Sequence, residues 1–176
     1  RRMDYRGWQR ASMHLAARLA AAGVGPGWVV GVMVNRTCAL PVAFTAVSAT
    51  GAMFLGLNPG WLPRERDRLF SRFRRRLMLL WKGMEPSGPI PHNAVIFGPE
   101  DLETPGLEPS NLPDVPADAD FYLNATSGST GLPKVAAITH AQLMANTSGA
   151  CETLGLTGDD VLMSLFGVIG HPHELF

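Results

Sequence analysis

Residues 28–34, "WVVGVMV", form a short continuous apolar run bounded by Gly27 and Asn35. Polar residues do not alternate with apolar ones in it. A strand of this kind must be covered on both faces, as in a parallel sheet held between helix layers. Before it, Asp4 stands as the cap of an amphipathic helix whose apolar positions Trp8, Ala11, Leu15, Ala16 and Leu19 recur at three and four residues, ending at Gly23. After it, Thr37 is the expected cap of a second helix through about Thr50, with Pro41 near its first turn and Gly51 closing it. "AMFLGLN" (52–58) reads as the next strand and "NPGWLP" as a turn. Strand, helix and strand with short joints predict a parallel βαβ unit. The fold class is therefore α/β, a layered, largely parallel sheet flanked by helices.

Residues 64–76, "RERDRLFSRFRRR", predict a further helix with Leu69, Phe70 and Phe73 on one face, continued by Leu77, and seven arginines around the remainder. Two readings suit it: a nucleic-acid or anionic-membrane surface, or a helix covering the sheet with a solvated basic face. The apolar stripe and the lack of aromatics on the basic face favour the second. "LMLLW" (77–81) and "AVIF" (94–97) read as strands, within or beside a connection from 83 to 120 dense in Pro, Gly and acids. "FYLNAT" (121–126) is a strand, "THAQLMANTSGACETLG" a helix begun or capped at His140, and "DVLMSLF" (160–166) a last strand.

The formal net charge of zero hides a division. Residues 1–82 hold fourteen Lys/Arg against three acids, and residues 83–176 hold one Lys against twelve. Fields of +11 and −11 favour docking of one half on the other, or two faces with different partners. Only two residues are lysine, Lys82 and Lys134. Cys38 and Cys151 belong to no CxxC or Cys/His cluster, which argues against a disulfide framework or zinc site and for buried small hydrophobes. No run of eighteen apolar residues and no leader pattern is present, so the expectation is a cytoplasmic protein with no membrane partner. The chain opens on Arg1 and stops at Phe176 in an apolar stretch, which reads as a fragment and leaves a leader before Arg1 open.

The chemistry concentrates in residues 126–134, "TSGSTGLPK". A phosphate loop needs converging backbone N–H groups, hydroxyl donors and a cation. Thr126, Ser127, Ser129 and Thr130 supply hydroxyls, Gly128 and Gly131 the bends, and Lys134 the charge. A Walker loop requires GxxxxGK and then a helix whose N-terminus faces the phosphates. Here Leu-Pro-Lys and the β-type run "VAAIT" follow Gly131, so that reading fails. A plain hairpin turn explains the glycines but not the run of hydroxyls capped by lysine.

"TSGSTGLPK" followed by "ITHAQL" closely resembles the phosphate-loop signature of the adenylate-forming superfamily, which contains acyl- and aryl-CoA synthetases, adenylation domains of nonribosomal peptide synthetases, and luciferases. The resemblance extends upstream through "GVGPGWVVGVMV" and the "GA" and "NP" positions, covering almost the whole chain. Trp28 stands where an acid is common, and Val135 where a glycine usually follows the lysine.

The resemblance implies an AMP-forming ligase. A carboxylate is activated with ATP to an acyl-adenylate, then passed to a thiol of coenzyme A or of a phosphopantetheine-bearing carrier protein. It implies that Thr126, Ser127, Gly128, Ser129, Thr130, Gly131 and Lys134 hold the β- and γ-phosphates, with Mg2+ sharing the charge. It divides the chain into an N-terminal α/β subdomain (1–120, with the connection 83–120) and the start of the nucleotide-binding region (121–176). The adenine-contacting segment, the ribose aspartate, the hinge and the C-terminal domain with its catalytic lysine are expected beyond Phe176, so these residues alone are expected to be inactive and to hold no catalytic residue. His171 and His173 fall where similar enzymes line the acyl pocket. Their HxH spacing also allows a metal reading, but no third ligand is evident and no metal site is assigned. The rival functions are a non-catalytic nucleotide-binding or partner-docking module and, through helix 64–76, nucleic-acid binding.

Overall fold

The computed structural model describes residues 2–35, 37–58, 60–84, 86, 88–103, 112–126 and 134–161. Ten elements follow in chain order: α1 (Tyr5–Ala21), β1 (Val29–Met33), α2 (Ala39–Ala49), β2 (Met53–Gly56), α3 (Pro63–Phe70), β3 (Arg76–Trp81), β4 (Ala94–Phe97), β5 (Asp120–Thr126), β6 (Lys134–Thr139) and α4 (His140–Leu154). The strands form one sheet in the order β4-β3-β1-β2-β5-β6. Every neighbouring pair is parallel except β5 with β6. The fold class read from the sequence is the one observed.

All five residues of β1 are buried, and they divide between two cores. Val30 and Val32 pack with α1 and α2, through Leu15, Leu19, Val42, Phe44 and Val47. Val29 and Met33 pack with Leu69 and Phe70 of α3 on the opposite face. Two-sided cover is what the unbroken apolar run requires. Gly31 faces α3, where an added Cβ would lie 2.7 Å from Leu57 Cδ1 and 2.8 Å from Phe70 Cε2. Gly31→Val is therefore expected to destabilise the fold by about 1–3 kcal/mol through overpacking, read as a lowered urea midpoint at unchanged slope.

Asp4 caps α1, its Oδ1 accepting the Gly7 N–H at 2.7 Å. Trp8 Nε1 donates to Pro41 O and Thr45 Oγ1, both at 3.1 Å, and thereby ties α1 to α2. The expected Thr37 cap lies one residue before the cap position, which Cys38 occupies, yet Thr37 Oγ1 still accepts the Ala39 N–H at 3.2 Å. Gly51, with φ +71°, turns the chain out of α2 in a conformation a side chain would strain. Cys38 and Cys151 form no disulfide, and both are half-buried rather than buried as expected.

The helix expected over 64–76 is five residues shorter, eight instead of thirteen. α3 ends at Phe70, residues 71–75 form a turn, and Arg76 and Leu77 belong to β3. Sheet pairing outcompetes the helix preference of arginine here: Val29 N–H donates to Arg75 O at 2.9 Å, and Arg76 Nη1 donates to Phe73 O at 2.6 Å. Arg66, read as part of a solvated face, is only 2% exposed. Its Nε donates to Asp67 Oδ1 at 2.9 Å and its Nη2 to Pro89 O at 3.2 Å, fastening α3 to the 83–93 segment.

The opposite charges of the two halves do meet. Arg18 of α1 pairs with Asp101 and donates to Ile96 O at 2.9 Å, while Asp101 Oδ2 accepts the Gly98 N–H at 2.7 Å. Lys82 Nζ reaches Glu100 Oε1 at 2.7 Å. That hydrogen bond raises the Lys82 pKa and lowers that of Glu100. Asp101→Ala removes the shared acceptor of the first network. It is expected to cost about 1–3 kcal/mol, measured by chemical denaturation, because Gly98 N–H and Arg18 lose their partner together.

Candidate functional site

β1 to β5 run in one direction, so Met33, Gly56, Trp81, Phe97 and Thr126 end at a common carboxyl edge of the sheet. Ligands of open parallel sheets bind outside this edge. β5 lies beside β2, in register Phe54 with Tyr122 and Leu55 with Leu123. β6 then returns antiparallel, with Thr126 opposite Lys134. The chain therefore leaves the sheet at Thr126 and re-enters it at Lys134, side by side on the carboxyl edge. Lys134 is exposed there. Ser127, Gly128, Ser129, Thr130 and Gly131 lie outside the described residues, as do His171, His173 and the strand expected at 160–166 from residue 162 onward. Of the expected loop ligands, the structure brings Thr126 and Lys134 together as direct cross-strand partners.

The hairpin is anchored by aromatic packing. A register shift between Asp120 and Tyr122 breaks the alternation of β5, and Phe121 and Tyr122 both enter the core shared with α2. Phe44 of α2 meets Phe121 edge-on at 4.6 Å and Phe54 at 5.1 Å, and Phe54 stacks on Tyr122 at 5.9 Å. The alternation expected of a strand gave no sign of this.

α4 starts where β6 ends, but its N-terminus offers no anion site. Thr139 Oγ1 accepts the Gln142 N–H at 3.1 Å and Gln142 Oε1 accepts the Thr139 N–H at 3.0 Å, a reciprocal cap. The His140 N–H donates to Ala119 O at 3.1 Å and the Ala141 N–H to Ala117 O at 2.7 Å. With the first-turn donors taken, this helix N-terminus has no N–H left for a phosphate, which agrees with the absence of Walker spacing. The Ala117 and Ala119 carbonyls carry no side-chain signal and were missed in the sequence.

His140 begins α4, as expected, and its ring stacks on Phe121 at 4.5 Å and 12°. Its Nε2 is buried without a hydrogen-bond partner among the described residues. Burial holds its pKa below the ordinary value. The unfolded chain protonates this residue near pH 6.5, whereas the folded chain resists. Stability from this group is thus complete above about pH 6.5 and lost as pH falls toward the lowered native value. His140→Phe, which keeps the stack, is expected to flatten the acid-side fall of the urea midpoint.

Among the described residues no cluster of three or more His, Cys, Asp or Glu is placed to hold a metal ion, and no helix is long and apolar enough to cross a membrane. The sequence pattern of the AMP-binding enzyme family matches residues 1–171. The chain belongs to this adenylate-forming family. It is 33% identical over 166 residues to nonribosomal peptide synthetase opaA of Aspergillus ustus, covering 89% of this chain and 4% of that protein. Apo MatB from Rhodopseudomonas palustris shares the fold with a TM-score of 0.74 at 20% identity, over 90% of this chain and 34% of that one. The anthranilate CoA ligase AuaEII, in complex with anthranoyl-AMP, gives a TM-score of 0.68 at 19% identity, over 84% of this chain and 31% of that one. The chain thus spans about a third of each ligase and a small part of the synthetase.

Proposed function

We propose that this chain supplies the phosphate-binding part of a ligase that activates a carboxylic acid with ATP and passes the acyl group to a thiol, of coenzyme A or of a carrier protein's phosphopantetheine, in the cytoplasm. The observation that supports it is the opposition of Thr126 and Lys134 across an antiparallel turn at the carboxyl edge of a parallel sheet. That geometry sets Thr126 and Lys134 side by side at the two ends of the segment whose sequence carries the remaining hydroxyls and glycines.

In the activating step a substrate carboxylate oxygen bonds to the α-phosphorus, and the bond to the α–β bridging oxygen breaks. The electron pair leaves on pyrophosphate. Backbone N–H groups, hydroxyls and Lys134 around the β- and γ-phosphates stabilise that growing charge and hold the leaving group in line. Mg2+, when bound, shares the same charge on the phosphate oxygens. None of these residues acts as a nucleophile. His171 and His173 are proposed to line the acyl pocket.

The two lysines make a direct test possible. In the full-length protein, amine acetylation of Lys134, followed by peptide mass spectrometry, is expected to slow when Mg2+ and ATP are present. Lys82, engaged by Glu100, serves as the reference. Equal labelling of Lys134 with and without nucleotide contradicts the assignment. The 176-residue chain by itself is expected to catalyse no ATP–pyrophosphate exchange, and robust turnover by it overturns that expectation.

A further inference from the structure

If Lys134 is to meet phosphate, β6 has to hold it in place, and few of that strand's side chains are anchored. β6 stands at the edge of the sheet and pairs with β5 alone. Ala136 and Ala137 are exposed, and α4, which follows, buries only Leu143. Two apolar side chains of β6 meet a core. Ile138, near the far end of the hairpin, packs against the core shared with α1 and α2. Val135, next to Lys134, is half-buried and packs against the opposite core, which contains Leu55, Leu57 and Leu123. Its cross-strand partner Ala125 lies against the same core but contributes only a methyl group.

We infer that Val135 is the positioning residue of Lys134: it sets the register of β6, and with it the face on which the ammonium stands before nucleotide arrives. Successive side chains of a strand point to opposite faces. With Val135 on the α3 side, Lys134 stands on the α1–α2 side, the side that Ile138 takes. A slip of one residue exchanges these faces and turns the ammonium toward the Leu55–Leu123 core, where an unpaired charge is costly. The far end of the hairpin is a poor anchor for register, because pairing jumps there from Asp120–Thr139 to Tyr122–Ile138. Without the valine the strand reads Lys-Ala-Ala-Ala-Ile-Thr, and nothing at the loop end distinguishes one register from the next. A β-branched side chain, stiff at χ1, suits this half-buried place on a pleated strand. The inference rests on the reading of Lys134 as a ligand of the departing pyrophosphate and adds what holds that lysine ready.

The test compares the full-length parent with Val135→Ala, Lys134→Ala and the double variant. ATP–pyrophosphate exchange by Val135→Ala is expected to fall at least about tenfold, the scale of loss when one group of a preorganised site is misplaced. In the Lys134→Ala background the same substitution should change exchange by less than about twofold, because a residue that acts through Lys134 has nothing left to position. A merely structural loss would lower exchange by the same factor in both backgrounds. Val135→Ile, which keeps the branched apolar side chain, should stay within about threefold of the parent. Hydrogen exchange followed by mass spectrometry should quicken over 134–138 in Val135→Ala while 76–81, in β3, stays unchanged, which also checks that the fold is kept. Equal losses in both backgrounds, a parent rate in Val135→Ala, unchanged hydrogen exchange over 134–138, or a loss in Val135→Ile as large as in Val135→Ala overturns the proposal and leaves the reading of Lys134 standing. Full pyrophosphate exchange by Lys134→Ala alone overturns that reading, and the proposal with it.

Discussion

Replacing Lys134 by alanine in the full-length protein is expected to lower acid-dependent ATP–pyrophosphate exchange by about two to three orders of magnitude. That is the loss seen when one preorganised group facing developing negative charge is deleted. Lys134 is exposed at the first position of β6 and faces Thr126 across the hairpin, so its removal leaves the cores untouched. The unfolding midpoint should stay within about 0.5 kcal/mol of the parent. Lys134→Arg keeps the charge but not the compact ammonium, and should recover only part of the rate. A Lys134→Ala protein with full exchange would show that the hairpin loop does not hold the leaving pyrophosphate.

The second large effect is structural. Phe44→Ala is expected to destabilise the fold by about 3–5 kcal/mol, the range for truncating a buried phenylalanine. The residue is 4% exposed and touches Phe54, Phe121 and Tyr122, so it joins α2 to both β2 and β5. Because Phe121 also carries the His140 stack, the loss should reach the β5–β6 hairpin. Hydrogen exchange of the Leu123 and Ala137 amides, paired across that hairpin, should accelerate more than exchange in β3. Uniform acceleration across the sheet would mean that Phe44 stabilises the fold without supporting the site in particular.

Much of this architecture was legible in the chain because burial leaves a period. "WVVGVMV" lacks alternation and is covered on both faces. Of the α1 positions spaced by three and four, Ala11, Leu15, Ala16 and Leu19 are buried in the core and Trp8 packs against it. The antiparallel sense of β6 was also implicit, since seven residues between Thr126 and Lys134 are too few for a parallel crossover. What escaped were features set by tertiary competition. Arg66 shares the helical face of Leu69 and Phe70, so its spacing marked it as inward, but its charge argued for solvent until Asp67 and Pro89 were in place to receive it. The early end of α3 is decided by β3 pairing with β1, a contact between residues some fifty positions apart, as in Val30 with Leu77. The paired burial of Phe121 and Tyr122 follows from a register shift that no residue type announces. At the site, hydroxyls and lysine were legible as chemistry, and the structure adds the hairpin that brings the two ends of their loop together.

Adenylation served by this loop is read from exchange of labelled pyrophosphate into ATP by the full-length protein, against a panel of aryl, fatty and amino acids. Exchange that depends on one class of carboxylic acid, and is lost with Lys134→Ala, is the predicted result. A full-length protein that binds ATP but exchanges pyrophosphate with none of these acids would contradict it.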